Sequence, residues 1–281
     1  MKHNCRLVAV DMDGTMLRRD KTIGEQTVRA VNTALACGIE VLIATGRSRA
    51  QVERYLELFP DMRYLVCSGG AVIYDMKAGW KKVASNEIPV EIVFSILKFA
   101  ESVDCFPIMT VDGKSVYLRE KADFAADYGL GAYVYEMRNF GTPVDCLYDW
   151  FEAAPKAAEA ISLYFRDYDS RCAVTEALGQ YPLHFAFPRE PGVEISLSTA
   201  NKGFALQALC ELLHIPLQET MAIGDSDNDV PMLRIAGMAV ASGNAPDVVK
   251  GYAHYVTADC NHDGVGQALE QFVLNEIMEK E

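Results

Sequence analysis

Two acidic clusters, a threonine and a lysine carry the chemical content of this chain. Asp11 and Asp13 lie in Asp11-Met12-Asp13-Gly14-Thr15, and Asp225, Asp227 and Asp229 lie in Gly224-Asp225-Ser226-Asp227-Asn228-Asp229. Residues two apart in an extended segment point the same way, so Asp11 and Asp13 share a face. One can attack an electrophile while the other moves protons, because carboxylates serve both as nucleophiles and as general acids or bases. The Gly14-Thr15 turn exposes backbone N–H groups that can cradle an anion. Four or more carboxylates brought to one place repel strongly in a low dielectric and need a cation. All-oxygen donors without a neighbouring His or Cys cluster favour a hard ion, Mg²⁺ before Ca²⁺. Mg²⁺ takes only one or two protein carboxylates, which leaves room for a substrate phosphate. The spacing of the second cluster brushes the Ca²⁺-loop pattern, but its Gly and terminal Glu positions fail, so that reading is rejected.

These residues need elements to position them. RLVAV (6–10) is a short apolar run stopped by the first acidic cluster, which predicts a buried strand. EQTVRAVNTALA (25–36) predicts an amphipathic helix with Gly38 beyond its end. EVLIA (40–44) predicts a second strand ending at Thr45-Gly46-Arg47, RAQVERYLELF a second helix, and YLVC (64–67) a third strand. Such alternation is the mark of a parallel sheet covered on both faces. After residue 70 the pattern changes. AVIYD and KKVASNEI predict a hairpin, and VEIVFSILKFAES a helix. From about 105 to 190, strands are expected at PIMTVD, SVYLR, AYVYEM and HFAF, and helices at PKAAEAISLYF and AVTEALGQY. Alternation resumes with KGFALQALCELLHI (202–215), MAIGD, PMLRIAG, MAVAS, APDVVKGY and YVT, and VGQALEQFVLNEIMEK predicts a terminal helix. The expected fold is α/β: a doubly wound, Rossmann-like parallel-sheet core over residues 1–84 and 190–281, interrupted by an α+β insertion over 85–189. Ligands of open parallel sheets bind at the C-terminal strand ends, where both acidic clusters and Thr45 would fall, with Lys202 opening the helix before the last motif.

Composition sets bounds on this reading. The 281 residues imply about two domains, and 50% apolar with 23% charged residues describes an ordinary globular chain. A net charge of −13 disfavours nucleic acid and anionic membrane surfaces as partners. It also disfavours small anions, unless a cation and a buried base such as Lys202 reverse the local sign. Eight cysteines, no two closer than 26 residues, leave no CxxC pair, and several sit inside apolar runs (Cys67 in YLVCSG, Cys210 in LQALCELL), which reads as buried thiols of a reducing compartment. The first residues offer too short an apolar run for a signal peptide, and no stretch approaches a membrane span, so a cytoplasmic location is expected. The histidines at 3, 184, 214, 254 and 262 are scattered and read as structural or surface residues.

The four motifs, in this order, resemble those of the haloacid dehalogenase superfamily of phosphatases. DMDGT matches the first motif, Thr45 in IATGR the second, Lys202 the third and GDSDND the fourth. The place and size of the insertion resemble the large α/β cap of the Cof-like branch (subclass IIB). Gly243-Asn244-Ala245 and Asn261-His262-Asp263-Gly264-Val265 resemble tail segments of the same branch. The resemblance implies that Asp11 is the nucleophile and a Mg²⁺ ligand. It implies that Asp13 is the general acid and base and that its carbonyl ligates the metal. Thr45 would hydrogen-bond the phosphoryl group, Lys202 would neutralise charge, Asp225 would be the second direct metal ligand, and Asp229 would complete the metal site. Thr15, Gly46, Arg47, Asn228 and Asn244 are the candidate substrate contacts. The cap would select the leaving group. One departure is visible: Cys67-Ser68-Gly69-Gly70-Ala71 has Gly69 where many relatives have Asn.

The expected activity is Mg²⁺-dependent removal of phosphate from a small phosphorylated metabolite, a sugar phosphate or a phosphorylated cofactor, by a monomer or small homo-oligomer. A phosphotransferase or phosphomutase on the same core is the nearest alternative, and a non-catalytic regulatory module a more distant one. A carbon–halogen dehalogenase would need neither Asp13 nor the metal shell.

Overall fold

A computed structural model describes residues 4–187 and 191–275. The chain divides into two compact units, Met1–Gly46 with Arg54–Ser85 and Asn201–Glu281, and Arg47–Glu53 with Asn86–Ala200. The expected junction at 189/190 falls on residues outside the described ones, and His3 and residues 276–280 of the predicted terminal helix do too.

In chain order the elements begin with β1 (Leu7–Val10), α1 (Glu25–Ala36), β2 (Glu40–Ala44), α2 (Arg49–Leu56), β3 (Tyr64–Cys67), β4 (Val72–Asp75) and β5 (Lys81–Ser85). The second unit adds α3 (Val90–Ser102), β6 (Phe106–Val111), β7 (Lys114–Leu118), α4 (Val134–Phe140), β8 (Gly141–Val144), α5 (Leu147–Ala153), β9 (Ala160–Tyr164), α6 (Cys172–Leu178), β10 (Leu183–Ala186) and β11 (Gly192–Leu197). The chain then returns through α7 (Lys202–Leu213), β12 (Thr220–Gly224), α8 (Val230–Ile235), β13 (Met238–Ala241), α9 (Asp247–Lys250), β14 (Tyr255–Val256) and α10 (Gly264–Leu269).

The first unit is an eight-stranded sheet in the order β14-β13-β12-β1-β2-β3-β4-β5. Its strands are parallel from β14 through β3, and β4 and β5 add an antiparallel edge. Leu7 to Val10 are all buried, as a central strand covered on both faces requires. α1 buries Thr27, Ala30, Val31 and Ala34, one stripe at helical spacing, and α10 packs on it. α7 is opened by Asn201, whose side chain accepts the Phe204 N–H at 2.9 Å. Register decides where chemistry can occur. Val10 lies level with Ile43 on one side and Ile223 on the other, so the residues after β1, β2 and β12 emerge at one sheet edge.

The second unit is a six-stranded sheet in the order β10-β11-β9-β6-β7-β8, antiparallel except for the β7–β8 pair. Val93 and Ile96 of α3, Phe151 of α5 and Val174 of α6 pack with Ile161, Leu163, Val193 and Ile195 in its core.

Two expectations are corrected here. PKAAEAISLYF is not a helix: its second half is β9, with Ile161, Leu163 and Phe165 buried at alternate positions between β6 and β11. The alanines suggested a helix, but the apolar period is two. AYVYEM is not a strand: Val134–Phe140 is helical, with Leu130, Val134 and Met137 packing in one cluster at four- and three-residue steps. Its aromatics mimic a strand, yet Tyr133 and Tyr135 are exposed and contribute nothing to a pleated face. The second predicted helix stops at Leu56, and the terminal helix passes from α10 into one π-helical stretch, Glu270–Leu274.

Candidate active site

At the edge where β1, β2 and β12 end, the strand ladder continues one residue further. Asp11 N–H donates to the Ile223 carbonyl at 2.9 Å and Thr45 N–H to that of Val66 at 3.0 Å. Asp11 is thereby fixed in the sheet, 5% exposed. Lys202, the first residue of α7, is 1% exposed, and its ammonium donates to Asp11 Oδ1 at 2.5 Å and to Asp229 Oδ1 at 2.6 Å. Asp229 is held as tightly from its other side, where Oδ2 accepts the N–H groups of Asp225 and Ser226, both at 2.9 Å. Ser226 and Asp229 form a reciprocal capping box around the 3₁₀ turn Asp227–Asp229. Gly224 is required here, since a Cβ would lie 2.5 Å from Asp229 Cβ and Cγ.

Asp11, Asp225 and Asp229 are grouped so that one oxygen of each lies within 4.8 Å of the others. Three carboxylates against one ammonium leave a formal charge of −2 when all are ionised. Burial pushes the Asp11 pKa up to about 8, with Lys202 opposing the rise and Asp229 adding to it. Burial likewise raises Asp225, opposed by the Thr15 hydroxyl and reinforced by Asp229. For Lys202, burial acts to lower the pKa, but the two carboxylates outweigh it and keep the ammonium charged. Asp11 and Asp225 can tolerate one another in two ways: one retains a proton and donates it to its neighbour, or a cation joins them. Asp11 Oδ2 is buried with no hydrogen-bond partner among the described residues. Such an orphaned oxygen beside a half-buried carboxylate fits a hard divalent cation, which would cancel the −2.

The loop after β1 supplies the rest. Thr15 is buried and its hydroxyl donates to Asp225 Oδ1 at 2.9 Å. Gly14 has φ +84°, and a Cβ there would lie 2.4 Å from Asp225 Oδ2, so the position admits only glycine. Asn244 donates to the Gly14 carbonyl at 2.8 Å and to Asp225 Oδ2 at 3.2 Å. The Asp13 side chain is half-exposed and accepts Lys21 Nζ at 2.8 Å.

Thr45 is buried at the end of β2, and its carbonyl accepts the Gly69 N–H at 3.0 Å. A side chain at Gly46 or Gly69 would meet nothing within 4 Å, so the site has open space there. Asn228 is exposed and accepts the Ser226 hydroxyl at 2.8 Å. Arg47 belongs to the second unit, where it pairs with Glu136 at 3.1 Å, and Gln51 donates to the other Glu136 oxygen at 3.2 Å. Thus Asp11, Thr15, Lys202, Asp225, Asp229 and Asn244 are joined by direct contacts, whereas Arg47 is engaged within the second unit. Sequence reasoning missed Lys21 and Glu136. Lys21 sits in a run of alternating charge that reads as solvated surface, and Glu136 lies in the segment mistaken for a strand.

The family model of haloacid dehalogenase-like hydrolases matches residues 8–269. The chain is 28% identical over 272 residues to the Bacillus subtilis 5-amino-6-(5-phospho-D-ribitylamino)uracil phosphatase YitU, covering 95% of this chain and 97% of that one. It is 24% identical to the Escherichia coli pyridoxal phosphate phosphatase YbhA, covering 96% and 99%. Among solved structures, a haloacid dehalogenase-like hydrolase from B. subtilis is similar with a TM-score of 0.80 and 26% identity, covering 95% and 100%. Among the described residues, no helix is long and apolar enough to cross a membrane.

Proposed function

The chain is an enzyme of the haloacid dehalogenase-like hydrolase family, and we propose that it removes phosphate from a small phosphorylated metabolite, with Mg²⁺ as cofactor. A sugar phosphate or a phosphorylated cofactor fits this reading, in keeping with the phosphorylated metabolites named for the relatives. The observation that carries it is the buried Asp11, which has one oxygen held by Lys202 and the other without a hydrogen-bond partner among the described residues, beside Asp225 and Asp229.

Asp11 and Asp225 would hold the cation, with the Asp13 carbonyl, and Asp229 completes the acidic group. When bound, the ion supplies positive charge toward the phosphoryl oxygens and offsets the carboxylates. The remaining steps belong to the chain. A carboxylate oxygen of Asp11 attacks phosphorus, and the bond from phosphorus to the ester oxygen breaks. Asp13 gives its proton to the leaving alkoxide. It then takes a proton from water, which attacks phosphorus, breaks the bond to Asp11 and releases inorganic phosphate. Lys202 holds Asp11 in line and keeps a fixed positive charge beside the transferred group. Thr45 and the backbone N–H groups of the Gly14-Thr15 turn hydrogen-bond the phosphoryl oxygens, and Gly46, Arg47 and Asn228 contribute to substrate binding. The second unit acts as the specificity domain. Eight free thiols suit a reducing, cytoplasmic setting, and the enzyme works as a monomer or small homo-oligomer.

The test is release of inorganic phosphate from p-nitrophenyl phosphate and from a panel of phosphometabolites. Turnover with water alone as acceptor, abolished by EDTA and restored by Mg²⁺, is expected. Turnover only with an added alcohol acceptor would make the chain a transferase, and turnover undiminished by EDTA would remove the metal from the account.

A further inference from the structure

We infer that Asn244 is a positioning residue that sets the orientation of Asp225 toward the cation, rather than a phosphate contact. The inference rests on the metal-site reading above.

A side-chain amide offers two N–H donors and one oxygen with two acceptor sites. Both donors of Asn244 are used, on the Gly14 carbonyl at 2.8 Å and on Asp225 Oδ2 at 3.2 Å. Both acceptor sites are also used, by the Cys260 N–H at 3.0 Å and the Ser242 hydroxyl at 2.8 Å. No capacity remains for a phosphoryl oxygen unless one of these bonds is given up. With the Thr15 hydroxyl on Oδ1 at 2.9 Å, each oxygen of Asp225 has one donor, which fixes the plane of the carboxylate. The same amide ties the loop that carries Asp13 to the fourth motif, because Gly14 is bound directly.

Asn244 is itself held. It lies in the turn after β13, where Ser242 N–H donates to the Gly224 carbonyl at 2.9 Å and Ala245 N–H to that of Ser242 at 2.9 Å. The second tail segment buttresses the other side. Asp263 accepts Arg18 at 2.8 Å and Thr27 at 3.0 Å, and Asn261 accepts the Arg19 N–H at 3.1 Å. The first tail segment therefore orients Asp225 and the loop that follows β1, and the second holds the chain beyond that loop at Arg18, Arg19 and Thr27.

Groups that orient a metal ligand change affinity by about 10- to 100-fold when removed. The experiment is calorimetric titration of wild type, Asn244→Ala, Asn244→Ser and Asp225→Asn with MgCl₂, alongside thermal melts and kcat at rising Mg²⁺. The expected result is an Asn244→Ala protein that melts near wild type, binds Mg²⁺ about 10- to 100-fold more weakly, and recovers much of its kcat at saturating Mg²⁺. A Mg²⁺ affinity within twofold of wild type overturns the inference. If Asn244→Ala melts far below wild type, Asn244→Ser is judged by the same criteria, and loss of folding in both variants assigns Asn244 to the scaffold and overturns the inference as well. Failure of the underlying reading looks different: wild type would bind no Mg²⁺, and Asp225→Asn would keep full activity.

Discussion

Replacing Lys202 with methionine keeps an unbranched apolar stem one atom shorter and removes the charge. In the native protein the ammonium is buried and is the side-chain donor to Asp11 Oδ1 and Asp229 Oδ1. The two carboxylates fare unequally without it. Asp229 keeps two backbone N–H donors on Oδ2, whereas Asp11 Oδ2 has no hydrogen-bond partner among the described residues and Oδ1 loses the ammonium. Removing one partner of a buried ion pair costs about 3–5 kcal/mol. At about 2–4 °C per kcal/mol for a unit of this size, the melting temperature should fall by roughly 6–20 °C. Asp11 can relieve the strain by keeping a proton, so the loss depends on pH. Its folded pKa, already raised from 3.8 to about 8 by burial, rises further without Lys202. A group with a raised folded pKa favours folding at low pH and withdraws that support as pH climbs through the folded value. Wild type and variant both keep the Asp11 proton well below pH 8, so the deficit should be level there and grow as pH climbs through 8 and above. Scanning calorimetry in EDTA at about pH 6, 8 and 9.5 measures it. A destabilisation below about 1 kcal/mol at pH 8, where a broken buried pair should cost several times more, would mean that Lys202 holds no buried ion pair.

Metal binding should release protons: with an Asp11 pKa of about 8 in the metal-free protein, Mg²⁺ should displace about 0.9 proton per ion at pH 7 and about 0.1 at pH 9. Calorimetry in buffers of different ionisation enthalpy measures this release, and none at pH 7 would contradict the raised value. Gly14→Ala forces a Cβ to within 2.4 Å of Asp225 Oδ2 at φ +84°. It should cost about 1–3 kcal/mol by urea denaturation and weaken Mg²⁺ binding. Asp13→Asn should slow alkyl phosphates on the order of a hundredfold or more, and p-nitrophenyl phosphate much less, because a good leaving group needs little protonation. Equal slowing of both substrates would count against Asp13 as the acid.

Legibility followed the physics of each segment. The first sheet could be read because its strands are continuous apolar runs ended by motif residues, and RLVAV, EVLIA and YLVC are strands in the structure. Asp11, Lys202, Asp225 and Asp229 were legible because the parallel pairing of β1 with β12 brings the motifs after both strands to one edge, with α7 opening beside them. The second unit was harder. Its strands are half-covered and its helices short, so the alanines before β9 and the tyrosines around α4 pointed the wrong way, and tertiary burial decided. Lys21 and the saturated amide of Asn244 were invisible for another reason: a partner eight or nineteen residues away, or more, leaves no periodic trace.

The proposed reaction passes through a phosphoryl group on Asp11, which rapid acid quench of a single turnover, followed by peptide mass spectrometry, would capture. One added phosphoryl group is expected on the peptide containing Asp11, formed before free phosphate appears, and absent in Asp11→Asn. Free phosphate formed at full rate with no modified Asp11 at any quench time would contradict it.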